Sequence, residues 1–154
     1  MRVWDLHPGY LNRQSLLGEH RELHGIVSIL VHGRHGYSRH PETLRWVGHL
    51  DALARRHAQL ASEMRLRGYR DGTPLVLAPG EAAWPGVFID APARQFDLLR
   101  SKYRDKAPGR IPLPANAQEL WSQHKYSVLA RDENLYRVTG REVAAGRDFS
   151  DLAL

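Results

Sequence analysis

A chain of 154 residues is the usual size of one domain and can bury a real core, and its 42% hydrophobic and 25% charged residues exclude wholesale disorder. The absence of Cys excludes disulfides, thiolate nucleophiles and Cys-ligated zinc, and no apolar run approaches the roughly 20 residues that cross a bilayer. The net charge of +5 suits a polyanionic partner, because every basic residue except Lys102, Lys106 and Lys125 is Arg, whose forked guanidinium matches phosphate; a GC-rich genome gives the same bias.

In chain order, Val3 to Tyr10 reads as an extended lead-in with a turn at Pro8-Gly9. Asp5, His7, Asn12 and Arg13 interrupt any signal-peptide core, so the first residues are expected to persist and the protein to stay in the cytoplasm. The bulk of Arg2 predicts that Met1 is retained. Asn12 is the expected N-cap of a helix from about Arg13 to Val31, with Leu16, Leu23, Val27 and Leu30 on the core side. Gln14, Gly18, Arg21, Glu22 and Gly25 share the opposite side. The two glycines cost roughly 1 kcal/mol each relative to Ala, which suggests close approach of a partner to this face.

His32 to His40 reads as a basic, aromatic, Gly-punctuated loop that faces phosphate. From Pro41 a long helix is expected to about Arg67, broken near Gly48-His49 and capped by Gly68, with Leu44, Val47, Leu50, Leu53, Leu60 and Met64 buried. Residues 69 to 114 hold Pro74, Pro79, Pro85, Pro92, Pro108, Pro112 and Pro114 and read as loop, with a short helix from about Ala93 to Tyr103. Ala115 to Arg131 is a third substantial helix capped by Asn116, and Asn134 to Leu154 a short surface tail. The expected architecture is thus all-α, a single domain over residues 1–154 with about three main helices and long Pro-rich loops.

Three constellations could carry chemistry. The α-amine of Met1, with an ordinary pKa near 8 against about 10.4 for Lys, is a ready imine-forming nucleophile, and Glu22 could move protons for it. Most chain ends are frayed and most exposed glutamates solvated, so spacing alone does not single this pair out. His20 and His24 at i, i+4, with His32, His35 and His40 nearby, invite a metal reading. Glu22, however, lies between the helix pair on nearly the opposite side, so His20 is read as a core-edge residue. Finally, Trp121, His124, Lys125 and Tyr126 could stack a base and hold a phosphate, or Trp121 could simply be core.

The first 25 residues carry a resemblance. Aligned without gaps from residue 1, Met1, Arg2, Gln14 and Arg21-Glu22-Leu23 fall on the mature N-terminus, early Arg, helix Gln and Arg-Glu-Leu motif of the pyrimidine-dimer DNA glycosylase family, the phage-type endonuclease V. The likeness resumes at Gly48-His49 and runs to Arg67-Gly68-Tyr69. The opening MRVWDLHP and the Gly36-Tyr37 to His40-Pro41 turn resemble bacterial members, and Trp121 to Tyr126 resembles the family's aromatic C-terminal region less closely.

The resemblance implies an all-α glycosylase and abasic-site lyase acting on damaged double-stranded DNA, as a monomer, away from membranes. Met1 would attack C1′ of the sugar, Glu22 would be the catalytic carboxylate, and β-elimination through the imine would nick the strand with no metal or other cofactor. Arg2, Gln14 and Arg21 would contact DNA or the lesion; His35, Trp121, His124, Lys125 and Tyr126 are further expected DNA contacts. This chain departs from the phage-type pattern at the terminal residue, Met1 for Thr, and at Ser15 and Gly25, which replace a substrate-contacting His and Arg. Lesion choice can therefore differ while the lyase chemistry is kept. The rival readings are a non-catalytic nucleic-acid-binding module of the same fold and a His-dependent metal hydrolase.

Overall fold

The computed structural model describes residues 1–77 and 83–149. Among these residues it is all-α, with a 3-10 turn at Pro8–Tyr10 and six α-helices: α1 (Arg13–His32), α2 (Pro41–Arg45), α3 (Leu50–Leu66), α4 (Pro92–Lys102), α5 (Ala117–Arg131) and α6 (Glu133–Ala144). The expected class holds, but three main helices is an undercount. The chain groups into two compact units, one of Met1–Trp4 with Leu11–Ile89 and one of Asp5–Tyr10 with Asp90–Leu154.

In the first unit α1 packs against α3. Asn12 starts α1 by accepting a hydrogen bond from the Ser15 N–H, and Gly33 ends it at φ 61°, a conformation that favours Gly. Leu16, Leu23 and Ile26 of α1 bury against a core that includes Ala52, Leu53, Leu60 and Met64 of α3. Val27 and Leu30, placed on the core stripe by periodicity, are half-buried. The break expected near Gly48-His49 is present: α2 stops at Arg45 and Gly48 turns the chain at φ 79° before α3 begins at Leu50. That break reorients α2, so Glu42, Thr43 and Trp46 point inward while Leu44 and Val47, expected in the core, are exposed. At the far end of α3, Gly68 takes φ 83° and the Tyr69 N–H reaches back to Met64 O at 2.9 Å, the αL cap that the sequence predicts.

The second unit carries α4, α5 and α6. Asp5 and Gln95 clasp each other, the Asp5 N–H donating to Gln95 Oε1 at 2.8 Å and Gln95 Nε2 donating to Asp5 Oδ2 at 2.9 Å. The Ile111 N–H donates to Gly9 O at 2.8 Å, and a Cβ added at Gly109 would meet the Tyr10 carbonyl at 2.4 Å, so only Gly fits that crossing. The surface tail expected from Asn134 is instead α6 as far as Ala144; its residues 150–154 lie outside the described set. Asp132 accounts for the helix: its own N–H closes α5 on Val128 O, and its side chain accepts from the N–H groups of Asn134 and Leu135 to open α6. Trp121 stacks on Tyr136 at 5.2 Å and Gln118 reaches Val143 O, which pairs the start of α5 with the end of α6. Thr139 and Val143, one turn apart on α6, are its buried residues.

Candidate active site

The first unit fixes the N-terminal segment by its backbone. Val3 and Trp4 are buried. The Trp4 N–H donates to Glu19 Oε1 at 3.2 Å, and Arg45 Nη2 donates to Val3 O at 3.1 Å. Glu19 is itself held by Arg56 through two bonds, Nε to Oε1 at 2.7 Å and Nη2 to Oε2 at 3.0 Å, with both side chains almost wholly buried. Arg45 is held in turn by Glu42, which also accepts from the Trp46 indole at 3.0 Å. Two buried ion pairs thus clamp the backbone at residues 3 and 4, and Arg2 lies with its guanidinium 4.8 Å over the Trp4 ring.

Glu19 and Glu22 are one turn apart on α1 and so are neighbours on its surface. The segment pinned at Glu19 has only three residues from Trp4 back to Met1, a reach of roughly 10 Å when extended. Glu22 is half-buried, and Met1 and Arg2 are half-buried too. Gln14, Arg21 and Gly25 on the same side of α1 are exposed. A Cβ built on Gly18 or Gly25 meets nothing within 4 Å, so this stripe is open to a partner. Ser15, the site of one departure from the phage-type pattern, is buried rather than on the stripe.

Other expected contacts distribute differently. His35 is exposed in the loop between α1 and α2 with Arg34, Tyr37 and Arg39. His40, expected to face phosphate, instead caps α2 by accepting from the Glu42 N–H at 3.1 Å. In the second unit, Tyr126 is 69% exposed, and Lys125 lies 5.1 Å over its ring. Trp121 is half-buried against Tyr136. His124 is only 4% exposed and bonds with Tyr10 Oη, which also bonds with Gln123 Oε1. All three polar atoms are satisfied when the phenol donates to Gln123 and His124 carries its proton on Nε2. Burial pushes the His124 imidazole down to about 4 and the Tyr10 phenol up. That histidine holds the interior together and presents no face to DNA. A void of about 10 Å³ beside it, lined by His7, Phe96 and Leu120 among others, is too small for a ligand.

Sequence reasoning missed Glu19, Arg45 and Arg56. Their signal was present: Glu19 falls among core positions Leu16, Leu23 and Ile26, and Arg56 between Leu53 and Leu60, where an unpaired charge would not be tolerated. It also missed the partners of His20 and His24. These converge with His57 of α3, whose Nε2 lies 3.1 Å from Nε2 of each, beside Asp71. Burial, more than the neighbouring charges, holds His24 and His57 below the usual imidazole range.

These features define a helical protein whose N-terminal segment is held by two buried ion pairs and whose α1 exposes Gln14, Arg21 and Gly25. The family model described as pyrimidine dimer DNA glycosylase matches residues 1–76, so the N-terminal part of the chain is similar to that family. The match spans α1 to α3 and the whole Met1 to Glu22 constellation. No curated protein and no solved structure matches the chain.

Proposed function

We propose that this protein is a DNA-repair glycosylase with abasic-site lyase activity, working on damaged duplex DNA through an imine formed by the α-amine of Met1. The family match over residues 1–76 supports excision of a damaged pyrimidine. The observation that supports the mechanism is the clamp: Glu19 and Arg45 hold the backbone of Trp4 and Val3, and Glu22 follows Glu19 by one turn of α1. An α-amine is unprotonated far more often than a Lys at neutral pH, which suits attack on C1′. The base leaves, the sugar ring opens to the imine, and a proton is lost from C2′. Elimination of the 3′ phosphate then cleaves the strand, and water releases the enzyme. Glu22 serves as the proton-transfer group. Arg2, Gln14 and Arg21 bind the strand around the lesion, with His35, Lys125 and Tyr126 as outer contacts.

The experiment is borohydride trapping on a duplex with one abasic site. The expected product is a covalent protein–DNA adduct in the peptide containing Met1. Tight DNA binding with no adduct would make the protein a binding module, and an adduct on an internal Lys would overturn the role of Met1.

A further inference from the structure

Four potential ligands converge on the flank of α1 away from Glu19. His20 and His24, one turn apart on α1, meet His57 of α3, and the ligand nitrogens of the three lie within 4.8 Å of one another. Nε2 of His57 is 3.1 Å from Nε2 of His20 and 3.1 Å from Nε2 of His24. Asp71, from the segment after α3, places Oδ1 3.2 Å from His20 Nε2 and Oδ2 3.7 Å from His57 Nε2. A zinc ion with bonds of 2.0–2.1 Å spaces its tetrahedral ligand atoms roughly 3.3 Å apart, close to these separations.

Hydrogen bonding among the side chains does not account for this packing. An imidazole Nε2 has one in-plane valence, either a proton or a lone pair. His57 Nε2 faces two other imidazole nitrogens, so it can satisfy one of them only. His20 Nε2 faces both His57 and the Asp71 carboxylate and meets the same limit. Thr73 Oγ1, 3.4 Å from His24 Nε2, can relieve one nitrogen but not the rest. A cation turns every one of these lone pairs into a bond.

We propose that His20, His24, His57 and Asp71 bind a divalent transition-metal ion of the zinc type. Neutral imidazoles and a carboxylate are ligands of the right hardness, and with no Cys in the chain a nitrogen and oxygen set is the one available. Four protein ligands close the tetrahedron, which marks a structural rather than a catalytic site. The ion fastens the segment at Asp71 to the α1–α3 pair, beside an open depression lined by His57, Arg65, Arg70 and Asp71. Glu22 projects from nearly the opposite side of α1, so the ion takes no part in the proposed imine chemistry, and the site stands or falls apart from that reading.

The test is titration of chelator-treated protein with Zn²⁺ and with Co²⁺. One Co²⁺ per chain should bind with the intense visible absorption of tetrahedral cobalt. Zinc at a hundredfold excess over its Kd should raise Tm by roughly 5–10 °C. His24→Gln, at the half-buried edge of the cluster, should keep the fold and weaken binding at least tenfold, and Asp71→Asn should do the same. Exposed His32 supplies the control, since His32→Gln should bind like the parent. Absence of stoichiometric uptake by the parent protein would overturn the site. So would the pale spectrum of octahedral cobalt, or uptake unchanged in His24→Gln.

Discussion

Glu22 and Glu19 stand one turn apart on the same helix in opposite surroundings. Glu22 is half-buried beside an open stripe, whereas Glu19 is sealed under Arg56 and the Trp4 amide. Removing the carboxylate charge at position 22 should therefore affect chemistry alone: Glu22→Gln is expected to lower base release and strand cleavage by roughly 10²-fold or more while DNA affinity and Tm stay near the parent's. Arg56→Met leaves the Glu19 charge buried without its main partner, at a cost of about 3–5 kcal/mol. Glu19→Leu combined with Arg56→Met removes both charges and should be less destabilised than Arg56→Met alone, by denaturant titration. If the double variant is also catalytically dead although folded, the clamp is needed to place Met1. His124 gives a pH signature. Its imidazole sits at about 4 when folded, against an ordinary value near 6.5, so the unfolded chain binds more protons between those limits. Stability should be flat above pH 6.5, fall through the window down to pH 4 by at most about 3 kcal/mol, and level off below it. In His124→Asn the slope in that window should shrink; an unchanged slope would place the titration elsewhere.

The elements that sequence anticipated are those with local punctuation. Asn12 and Asn116 cap α1 and α5 as expected, and Gly68 ends the α3 segment, because each signal acts within a few residues of itself. The elements it misplaced depend on contacts distant in sequence. Leu44 and Val47 fit a helical stripe, but Trp46 and the Glu42–Arg45 pair fix α2 in another orientation. Likewise α6 is stabilised by Asp132 and by packing on Trp121, and periodicity across so short a stretch did not reveal it. A Cβ added at Gly18 or Gly25 of α1 meets nothing within 4 Å, so either position has room for a methyl group. Gly18→Ala and Gly25→Ala are each expected to stabilise the helix by about 0.5–1 kcal/mol. The added methyls should weaken binding to a lesion duplex. Higher Tm with unchanged affinity in both variants would show that no partner comes close to this stripe.

Across the whole molecule, the residues of the proposed chemistry were more legible than their support. Met1, Arg2 and Glu22 lie within 25 residues, so a gapless comparison could find them, whereas the pairs Glu19–Arg56, Arg45–Val3 and His24–His57 join segments distant in sequence. The same pairing decides what the basic composition means. Arg45, Arg56 and Arg67 answer Glu42, Glu19 and Glu63, so they add nothing to the outer field. The exposed residues of the first unit include Arg13, Arg21, Arg34, Arg39, Arg55, Arg65 and Arg70, and these carry its excess charge outward. A duplex that takes up about four of them should show a log K against log salt slope near −3.6, a loss of roughly a hundredfold in affinity between 50 and 200 mM salt. Arg21→Gln should reduce the magnitude of that slope by about one contact, whereas Arg67→Gln, whose charge is matched by Glu63, should leave it unchanged. Salt-independent binding by the parent protein, or an equal change in both variants, would mean that the exposed arginines reflect composition rather than a DNA-binding surface.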